Sequence, residues 1–389
     1  MYNFDIVPDR RGTNSIKWDR TAQFGSGPML PMWIADMDFA VAPPIVDAIH
    51  KKADQAVFGY TFLSDAYYDA VIHWMKTRHN FDVAKEEILF TPGVVPALDF
   101  AIQTLCQPGD DVLVEVPVYG PFYNVIKKNG CNIIETPLNN DNEYYTFDFE
   151  DLERKITDKT RVFMLCSPHN PSGRVWKREE LEKLADICQR HNLYVISDEI
   201  HNDLILEGEH IVFASLNEWT AQHTITCTAP TKTFNLASVL VSNIIIKDAE
   251  VREKIRAMVN SAHCSSSNCF VEPILVAAYT QSAQWLDELL VYIKGNRDYV
   301  CDFIQKNIPE IVVHPMEGTY LAWLNCEKLG MHGDELKSFI GDKCGLAMNN
   351  GSFFGQAWDG YCRMNLACTR ATVEKACAQL LEGIKTLRK

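Results

Sequence analysis

Short, continuously apolar runs alternate along this chain with segments of helical periodicity. In Arg178–His191, for example, the apolar residues recur at helical spacing. Continuously apolar strands are typical of a sheet that is buried on both sides, so the alternation predicts a mainly parallel sheet between helices. The apolar runs of strand length are Asp111–Val116, Arg161–Cys166, Leu193–Ser197, His223–Cys227 and Leu240–Ile246.

The length of 389 residues allows a large core and more than one domain. Residues 1–45 are rich in proline, glycine and aspartate, and we expect an irregular arm that joins the smaller domain. A large domain is expected over residues 46–285 and a small C-terminal domain over residues 286–389. The predicted helix Ala283–Ile308 would carry the chain from one to the other, and Thr372–Leu387 would be the last helix.

Composition argues against several classes of partner. The net charge of −14 disfavours nucleic acid and membrane surfaces, which select basic patches. The first residues contain no apolar core of signal-peptide length, and no run of 18 apolar residues is present to span a membrane. The 13 cysteines are scattered and odd in number, so we expect reduced thiols in a cytoplasmic protein and no metal site.

Four of the apolar runs lead into side chains suited to chemistry. In chain order these side chains are Tyr119, Asn170, Asp198 and Lys232. Ligands of open parallel sheets bind beyond the carboxyl ends of the strands, so we expect the four side chains to meet at one edge. Alone, each has an ordinary explanation as a core tyrosine, a turn, a helix cap or a surface lysine.

Together these groups match the needs of pyridoxal phosphate, a flat aldehyde with a ring nitrogen, a phenolic oxygen and a phosphate. An amine such as Lys232 forms a Schiff base with the aldehyde. A carboxylate such as Asp198 keeps the ring nitrogen protonated, and an aromatic such as Tyr119 can stack on the ring. A turn at residues 91–95 opens a predicted helix over Val95–Leu105, and the N–H groups at its start suit the phosphate.

Longer motifs carry a family resemblance over essentially the whole chain. The motifs Asn170-Pro-Ser-Gly-Arg, Asp198-Glu-Ile-His201 and Thr231-Lys232-Thr-Phe-Asn-Leu-Ala resemble the signature of fold-type-I pyridoxal-phosphate enzymes in the class I/II aminotransferase superfamily. Four others resemble its MalY/PatB branch of cystathionine β-lyase-like C–S lyases: Asp9-Arg-Arg-Gly-Thr-Asn-Ser-Ile-Lys-Trp18, Trp33-Ile-Ala-Asp-Met-Asp-Phe39, Phe58-Gly-Tyr60-Thr-Phe62 and Arg363-Met-Asn-Leu-Ala-Cys-Thr-Arg370. The implied fold is the fold-type-I transferase fold, a mainly parallel sheet sandwiched by helices with a smaller α+β C-terminal domain.

The resemblance implies roles around the cofactor ring. Lys232 would carry the cofactor, Asp198 would pair with the ring nitrogen and Tyr119 would stack, and these three are the expected catalytic residues. Asn170 would bond the phenolic oxygen. His201 would either assist Asn170 or be an ordinary buried histidine.

The resemblance also implies contacts to the phosphate and the substrate. Val94 and Val95 would offer backbone N–H groups to the phosphate, and Tyr60 would reach the phosphate of the neighbouring subunit in a homodimer. Arg363, together with Asn170, would bind the substrate α-carboxylate through its two-pronged guanidinium. Arg370 is the alternative for that carboxylate.

The sequence departs from the superfamily pattern near the phosphate. Many members carry an arginine eight residues after the Schiff-base lysine, where this chain has Leu240. Ala229 stands where relatives often use serine, three residues before the lysine. The hydroxyl of Thr228 or of Thr231 is the expected replacement.

The expected activity is that of a C–S β-lyase, which cleaves L-cystathionine, related cysteine S-conjugates or cysteine to a thiol, pyruvate and ammonia. An aminotransferase of an α-amino acid is the rival, because the same residues serve both reactions up to removal of the α-proton. A third hypothesis is a cofactor-binding regulatory protein, against which the intact set of Lys232, Asp198 and Arg363 argues. Resemblance to the MalY/PatB branch favours the lyase.

Overall fold

The structure, a computed structural model, describes residues 2–141 and 144–388. The strands are β1 (Leu30–Pro31), β2 (Ile88–Thr91), β3 (Asp111–Val116), β4 (Asn132–Pro137), β5 (Asn139–Asp141), β6 (Tyr144–Thr146), β7 (Thr160–Cys166), β8 (Tyr194–Asp198), β9 (Thr224–Thr228), β10 (Ser242–Ile245), β11 (Val312–Val313), β12 (Leu321–Asn325), β13 (Leu346–Ala347), β14 (Asn349–Asn350) and β15 (Tyr361–Asn365). The α-helices are α1 (Ile16–Asp19), α2 (Pro43–Ala53), α3 (Asp65–His79), α4 (Val94–Leu105), α5 (Pro121–Lys128), α6 (Phe149–Arg154), α7 (Arg178–Arg190), α8 (Glu218–His223), α9 (Pro230–Thr233), α10 (Ala249–Ser261), α11 (Val271–Gln281), α12 (Ala283–Asn307), α13 (Gly333–Ser338) and α14 (Arg370–Lys385).

A seven-stranded sheet forms the centre of the molecule, with strand order β2-β10-β9-β8-β7-β3-β4. Strands β9, β8, β7, β3 and β4 pair in parallel, whereas β10 runs antiparallel to both of its neighbours. The expectation of a mainly parallel sheet is therefore confirmed. The predicted run Leu240–Ile246 supplies β10, the strand of this sheet that runs against the others.

The sheet is buried on both faces, as its continuously apolar strands predict. Along β3, Val112 and Val114 pack into one cluster with Leu98 of α4. The intervening residue, Leu113, packs on the opposite side with Leu181 of α7. Successive strand residues point to opposite faces, and each fully buried aliphatic side chain contributes about 1.5–3 kcal/mol.

Element boundaries follow the sequence patterns to within two residues. The predicted run Asp111–Val116 is β3 itself, and α7 and α12 each end one residue before the predicted end. The last helix begins two residues earlier than predicted. Thr369 is its N-cap and accepts a hydrogen bond from the backbone N–H of Thr372, so the helix starts at Arg370.

A second sheet, with strand order β11-β12-β15-β14, is built from residues 312–365 and is antiparallel throughout. The N-terminal segment reaches this part of the molecule through β1, which pairs in parallel with β13. The division into an arm (1–45), a large domain (46–285) and a small domain (286–389) remains our proposal. The grouping of the seven-stranded sheet within 46–285 and of the second sheet within 286–389 supports it.

A buried charge cluster holds the N-terminal arm together. The ammonium of Lys17 is fully buried and lies 3.1 Å from the Asp38 carboxylate and 3.9 Å from that of Asp36. Arg10 forms a bidentate pair with Asp36, with nitrogen–oxygen distances of 3.2 and 2.7 Å. The indole N–H of Trp18 donates to Asp38 at 2.9 Å. Each charge in the cluster therefore has a partner of opposite sign.

All 13 cysteines lie within the described ranges, and each is a free thiol. Burial raises the pKa of the Cys188 thiol to about 12. A buried thiol of this kind behaves as a small apolar side chain and is a weak nucleophile. Across residues 2–141 and 144–388, the helices are too short or too polar to cross a membrane.

The buried cluster predicts that Lys17→Ala lowers the stability of the protein more than Arg11→Ala does. Lys17→Ala removes the ammonium beside the buried Asp38 and the half-buried Asp36, which costs about 3 kcal/mol. The urea midpoint of unfolding should therefore fall clearly. Arg11→Ala is the matched control, because the Arg11–Asp9 pair is exposed and the midpoint should barely move. Equal midpoints for the two variants would contradict the prediction.

Candidate active site

A cavity of about 350 Å³ opens at the carboxyl ends of β3, β7, β8 and β9. Its walls contain Tyr119, Asn170, Asp198 and Lys232, so the structure brings the four predicted side chains together. The cause is topological. The four strands are parallel neighbours in the sheet, and the residues that follow them emerge at the same edge.

Lys232 is positioned by a short helical turn. Pro230 opens α9 directly after β9, which directs the lysine side chain into the cavity. Its ammonium nitrogen Nζ donates a hydrogen bond of 2.6 Å to the backbone carbonyl of Ala35. Burial, followed by the positive charge of Arg363, lowers the pKa of Lys232 to about 8. A larger share of the amine is therefore unprotonated at neutral pH than in a free lysine.

Asp198 is the last residue of β8 and is buried. Its Oδ1 atom accepts a hydrogen bond of 3.1 Å from the backbone N–H of Ile200. Within the described residues, no basic side chain lies within 4.0 Å of this carboxylate. Burial raises the pKa of Asp198 to about 7, against the lowering effect of the Ile200 bond. A cationic N–H donor in the cavity would stabilise the carboxylate form.

Asn170 and His201 also line the cavity. The side-chain oxygen of Asn170 accepts a hydrogen bond of 3.0 Å from Arg363, which leaves its NH₂ group to donate elsewhere. His201 is buried, and its Nδ1 atom has no hydrogen-bond partner among the described residues. Burial lowers the pKa of His201, so the neutral imidazole is the stable form.

Arg363 is a buried cation held by neutral groups. It lies in the middle of β15, and its Nη2 atom donates to the Trp33 carbonyl at 3.1 Å and to the Asn349 side chain at 2.9 Å. In the part of the chain that the structure describes, no carboxylate lies within 4.0 Å of it, and its Nε atom is buried without a hydrogen bond. Burial lowers the pKa of Arg363 to about 10, so it is still a cation at neutral pH. A buried charge without a counter-ion is costly, so this position is suited to an anionic ligand.

The start of α4, which also lines the cavity, offers backbone donors. Val94 and Val95 begin α4, and Gly93 before them gives no side-chain cap, so the first N–H groups of the helix have no intrahelical partner. Gly93 adopts a φ of 146°, a conformation that favours glycine. Such a helix start attracts phosphate groups.

The residues at which the sequence departs from the superfamily pattern lie in or near the cavity wall. Leu240 and Thr231 line the cavity, while Thr228 is buried behind it with a hydroxyl that has no partner in the described chain. Leu240 lies where an arginine is common, so it adds no charge. Lys232 is the one lysine among the lining residues that the structure describes, and no arginine is among them.

Two of the predicted or alternative site residues lie outside the cavity. Tyr60 is fully exposed in a segment without helix or strand. Arg370 begins α14, and its guanidinium lies over the Tyr299 ring at 5.1 Å. Of the two arginines considered for the carboxylate, Arg363 is the one bonded to a cavity residue.

Sequence reasoning missed three contributors to the site. The backbone carbonyls of Trp33 and Ala35 hold the arginine and the lysine, and Asn349 holds the arginine from β14. The motif Trp33–Phe39 stood out in the sequence, but every residue has a backbone carbonyl, so residue type does not indicate which carbonyls bind the lysine and the arginine. Asn349 gave no signal, because it meets Arg363 only through the pairing of β14 with β15.

Comparison with known proteins places the chain in a family. The model for aminotransferases of class I and II matches residues 29–380. The chain belongs to the class I and II aminotransferase family. Members similar to this one include cystathionine beta-lyase PatB of Bacillus subtilis, which is 42% identical over 96% of this chain and 97% of its own length. Protein MalY of Escherichia coli is 32% identical over the full length of both proteins.

The fold agrees with solved members of the family. The PLP-bound C–S lyase from Staphylococcus hominis superposes with a TM-score of 0.90 at 30% identity, covering 98% of each chain. The expected fold-type-I transferase fold is therefore confirmed. The similarity to PatB and MalY also confirms the resemblance to the MalY/PatB branch that the motifs indicated.

The lowered pKa of Lys232 can be measured in the ligand-free protein. The rate at which Lys232 reacts with acetic anhydride, followed by peptide mass spectrometry, should rise with pH around a midpoint near 8. Arg363→Met removes a positive charge that lowers this pKa, so the midpoint should move to higher pH. Arg370→Met is the control and should leave the midpoint in place. A midpoint near that of a free lysine in the wild type would contradict the prediction.

Proposed function

We propose that this chain is a pyridoxal-phosphate-dependent C–S β-lyase that cleaves L-cystathionine and related cysteine S-conjugates to a thiol, pyruvate and ammonia. The observation that carries the proposal is the pairing of a half-buried amine in the cavity, Lys232, with a buried cation, Arg363, that has no carboxylate partner in the described chain. An α-amino acid needs both groups, one for its α-proton and one for its carboxylate. The names of the relatives PatB and the Staphylococcus hominis C–S lyase favour the lyase among reactions of this kind.

The residues of the cavity fit pyridoxal phosphate. Asp198, with its raised pKa and no basic partner in the described residues, suits a protonated ring nitrogen. The start of α4, at Val94 and Val95, suits the phosphate. Tyr119 would cover one face of the ring, and the free NH₂ of Asn170 would donate to the phenolic oxygen. His201, with an unpartnered Nδ1, is proposed as a further neighbour of that oxygen.

When bound, the cofactor supplies a conjugated ring that stabilises negative charge at the substrate α-carbon. Lys232 is both the proposed attachment point and the base that takes the α-proton. The lowered pKa favours the unprotonated amine that this step requires. The bond from Nζ to the Ala35 carbonyl orients the amine in the cavity before substrate arrives.

Lyase chemistry then breaks one bond at the β-carbon. The electron pair left at the α-carbon forms a double bond between the α- and β-carbons. The electron pair of the carbon–sulfur bond departs with the sulfur as a thiolate. The proton that Lys232 Nζ took from the α-carbon is available to the departing thiolate. Water then hydrolyses the three-carbon remainder to pyruvate and ammonia, so no keto acid is consumed.

Arg363 is proposed to bind the substrate α-carboxylate. Its Nη atoms are held by Asn170, Trp33 and Asn349, which fixes the plane of the guanidinium before substrate arrives. None of these partners carries a negative charge, so the cation stays available. Fixing the carboxylate orients the α-proton toward Lys232.

Product analysis tests the proposed function directly. The holoenzyme should form pyruvate and a free thiol from L-cystathionine with no keto acid present. An aminotransferase would need a keto acid acceptor and would release no thiol. Bound cofactor with neither reaction would favour the regulatory hypothesis. The rate of pyruvate formation should also fall by more than about a thousandfold in Lys232→Ala, because the base is lost.

Substitution of the proposed carboxylate site separates substrate binding from cofactor binding. Arg363→Lys keeps the charge and loses the two-pronged donor, which is worth about 2–3 kcal/mol in a buried site. We expect kcat/KM for L-cystathionine to fall roughly a hundredfold, since about 1.4 kcal/mol is tenfold. The visible absorbance of the bound cofactor should be retained. Normal kcat/KM would move the carboxylate site elsewhere.

We also propose a cytoplasmic homodimer in which Tyr60 completes the phosphate site of the neighbouring subunit. Tyr60 is exposed among the exposed apolar residues Val57, Phe58 and Phe62, a patch that suits burial against a second copy. In one chain Tyr60 touches no part of the cavity wall. The free cysteines support a reducing compartment.

The dimer proposal predicts that a substitution outside the chain's own cavity weakens cofactor binding. Tyr60→Phe should raise the dissociation constant of pyridoxal phosphate about tenfold, the value of one hydrogen bond to a charged group. Tyr299→Phe, remote from the cavity, is the control. Analytical ultracentrifugation should give twice the 44.2 kDa chain mass. A monomer, or an unchanged dissociation constant, would refute the proposed role.

A further inference from the structure

A second cavity, the outer groove, lies beside the start of α5 and has a volume of about 530 Å³. Tyr123 and Lys127 reach it from one face of α5, four residues apart. Glu135 reaches it from β4, the edge strand of the central sheet. The loop after β14 closes the third side with Phe353 and Gln356.

The outer groove adjoins the candidate active site. Tyr119 lines the active-site cavity, and the next residue, Gly120, lines the groove. The Phe353 ring lies 6.2 Å from the Tyr119 ring in an edge-to-face contact. The Phe353 carbonyl packs so closely on Gly120 that a Cβ atom there would lie 2.7 Å from it. Phe353 therefore lines the groove next to Tyr119, which lines the active-site cavity.

The groove carries one cation and one anion that are not paired. Neither Lys127 nor Glu135 forms an ion pair within 4.0 Å with another described residue. By contrast Lys128, the next residue, pairs with Asp99 at 2.5 Å on another face of α5. The Glu135 carboxylate has a neutral hydrogen-bond donor in the groove, the Tyr123 hydroxyl, so its negative charge is not offset by a cation of the described chain.

This charge pattern matches an α-amino acid group. A free amino acid end carries an ammonium and a carboxylate a few ångströms apart, complementary to Glu135 and Lys127. The side-chain amides of Asn124 and Gln356 also line the groove and can donate or accept hydrogen bonds. A thioether with an amino acid at each end has one such group at the reacting carbon and another on the leaving thiol.

We propose that the outer groove binds the amino acid group of the leaving thiol, with Lys127 contacting its carboxylate and Glu135 its ammonium. The inference rests on the proposed lyase function and assigns its substrate class. It makes the preferred substrate a thioether of two amino acids, such as L-cystathionine, over a cysteine S-conjugate with an uncharged leaving group. Phe353 would lie against the methylene groups that join the two ends.

The test compares two thioethers that share the reacting carbon. L-cystathionine carries the second amino acid group, and S-ethyl-L-cysteine lacks it. The measured quantity is the ratio of kcat/KM for L-cystathionine to kcat/KM for S-ethyl-L-cysteine, with holoenzyme throughout. In Lys127→Glu an attraction becomes a repulsion, so the ratio should fall roughly tenfold. Glu135→Lys should lower it by a similar factor.

Lys128→Glu is the charge-matched control, because it makes the same change one residue away on a side chain that does not line the groove. Its ratio should equal that of the wild type. Added salt should lower the wild-type ratio, since the groove is open to solvent. Unchanged ratios in both groove variants, or an equal fall in the control, would overturn the groove assignment. A wild type that releases thiol from neither thioether would overturn the proposed function, and the groove assignment with it.

Discussion

Neutral backbone carbonyls hold the two cations on which this site depends. The carbonyl of Ala35 accepts from Lys232 at 2.6 Å, and the carbonyl of Trp33 accepts from Arg363 at 3.1 Å. A carboxylate in either place would fix the side chain equally well but would neutralise it. It would raise the pKa of the lysine and occupy the arginine. Carbonyls orient both groups and leave one able to lose a proton and the other able to bind an anion.

The segment that supplies these carbonyls is itself fastened from several sides. Asn365 donates to the carbonyls of Ile34 and Asp36, both at 2.7 Å. Asn235, three residues past the lysine, bonds the N–H and carbonyl of Met37. The charge cluster around Lys17 fixes the side chains of the same segment. A short stretch of the arm thus ties the lysine turn to β15, and the geometry of the site depends on both.

Much of the site could be predicted because parallel topology converts sequence order into spatial order. Tyr119, Asn170, Asp198 and Lys232 each lie at or shortly after the end of a strand, and adjacent parallel strands bring them together. The orientation of β10 could not be predicted in this way, because an apolar run has the same pattern in either direction. The assignment of Arg363 rested on resemblance, since its bond to Asn170 joins residues 193 positions apart. The proposed role of Tyr60 involves a second chain, and a single sequence does not show where that chain would lie.

The outer groove had no sequence signature for a related reason. Its charged residues come from α5 and β4, and its apolar wall comes from a loop more than 200 residues further along the chain. Lysine and glutamate on surface elements are common, so neither stands out alone. Only the shared space and the absence of ion pairs among the described residues distinguish them.

The pairing of β1 with β13 has a consequence for how the protein is made. The ribosome completes residues 30–31 early, but their partners at 346–347 emerge more than 300 residues later. At about 5–20 residues per second, the arm waits tens of seconds for its strand partner and for Arg363. A nascent chain that already contains Lys232 and Asp198 therefore has an unpaired arm strand. A chain that ends before β13 would therefore lack the strand that pairs with its arm.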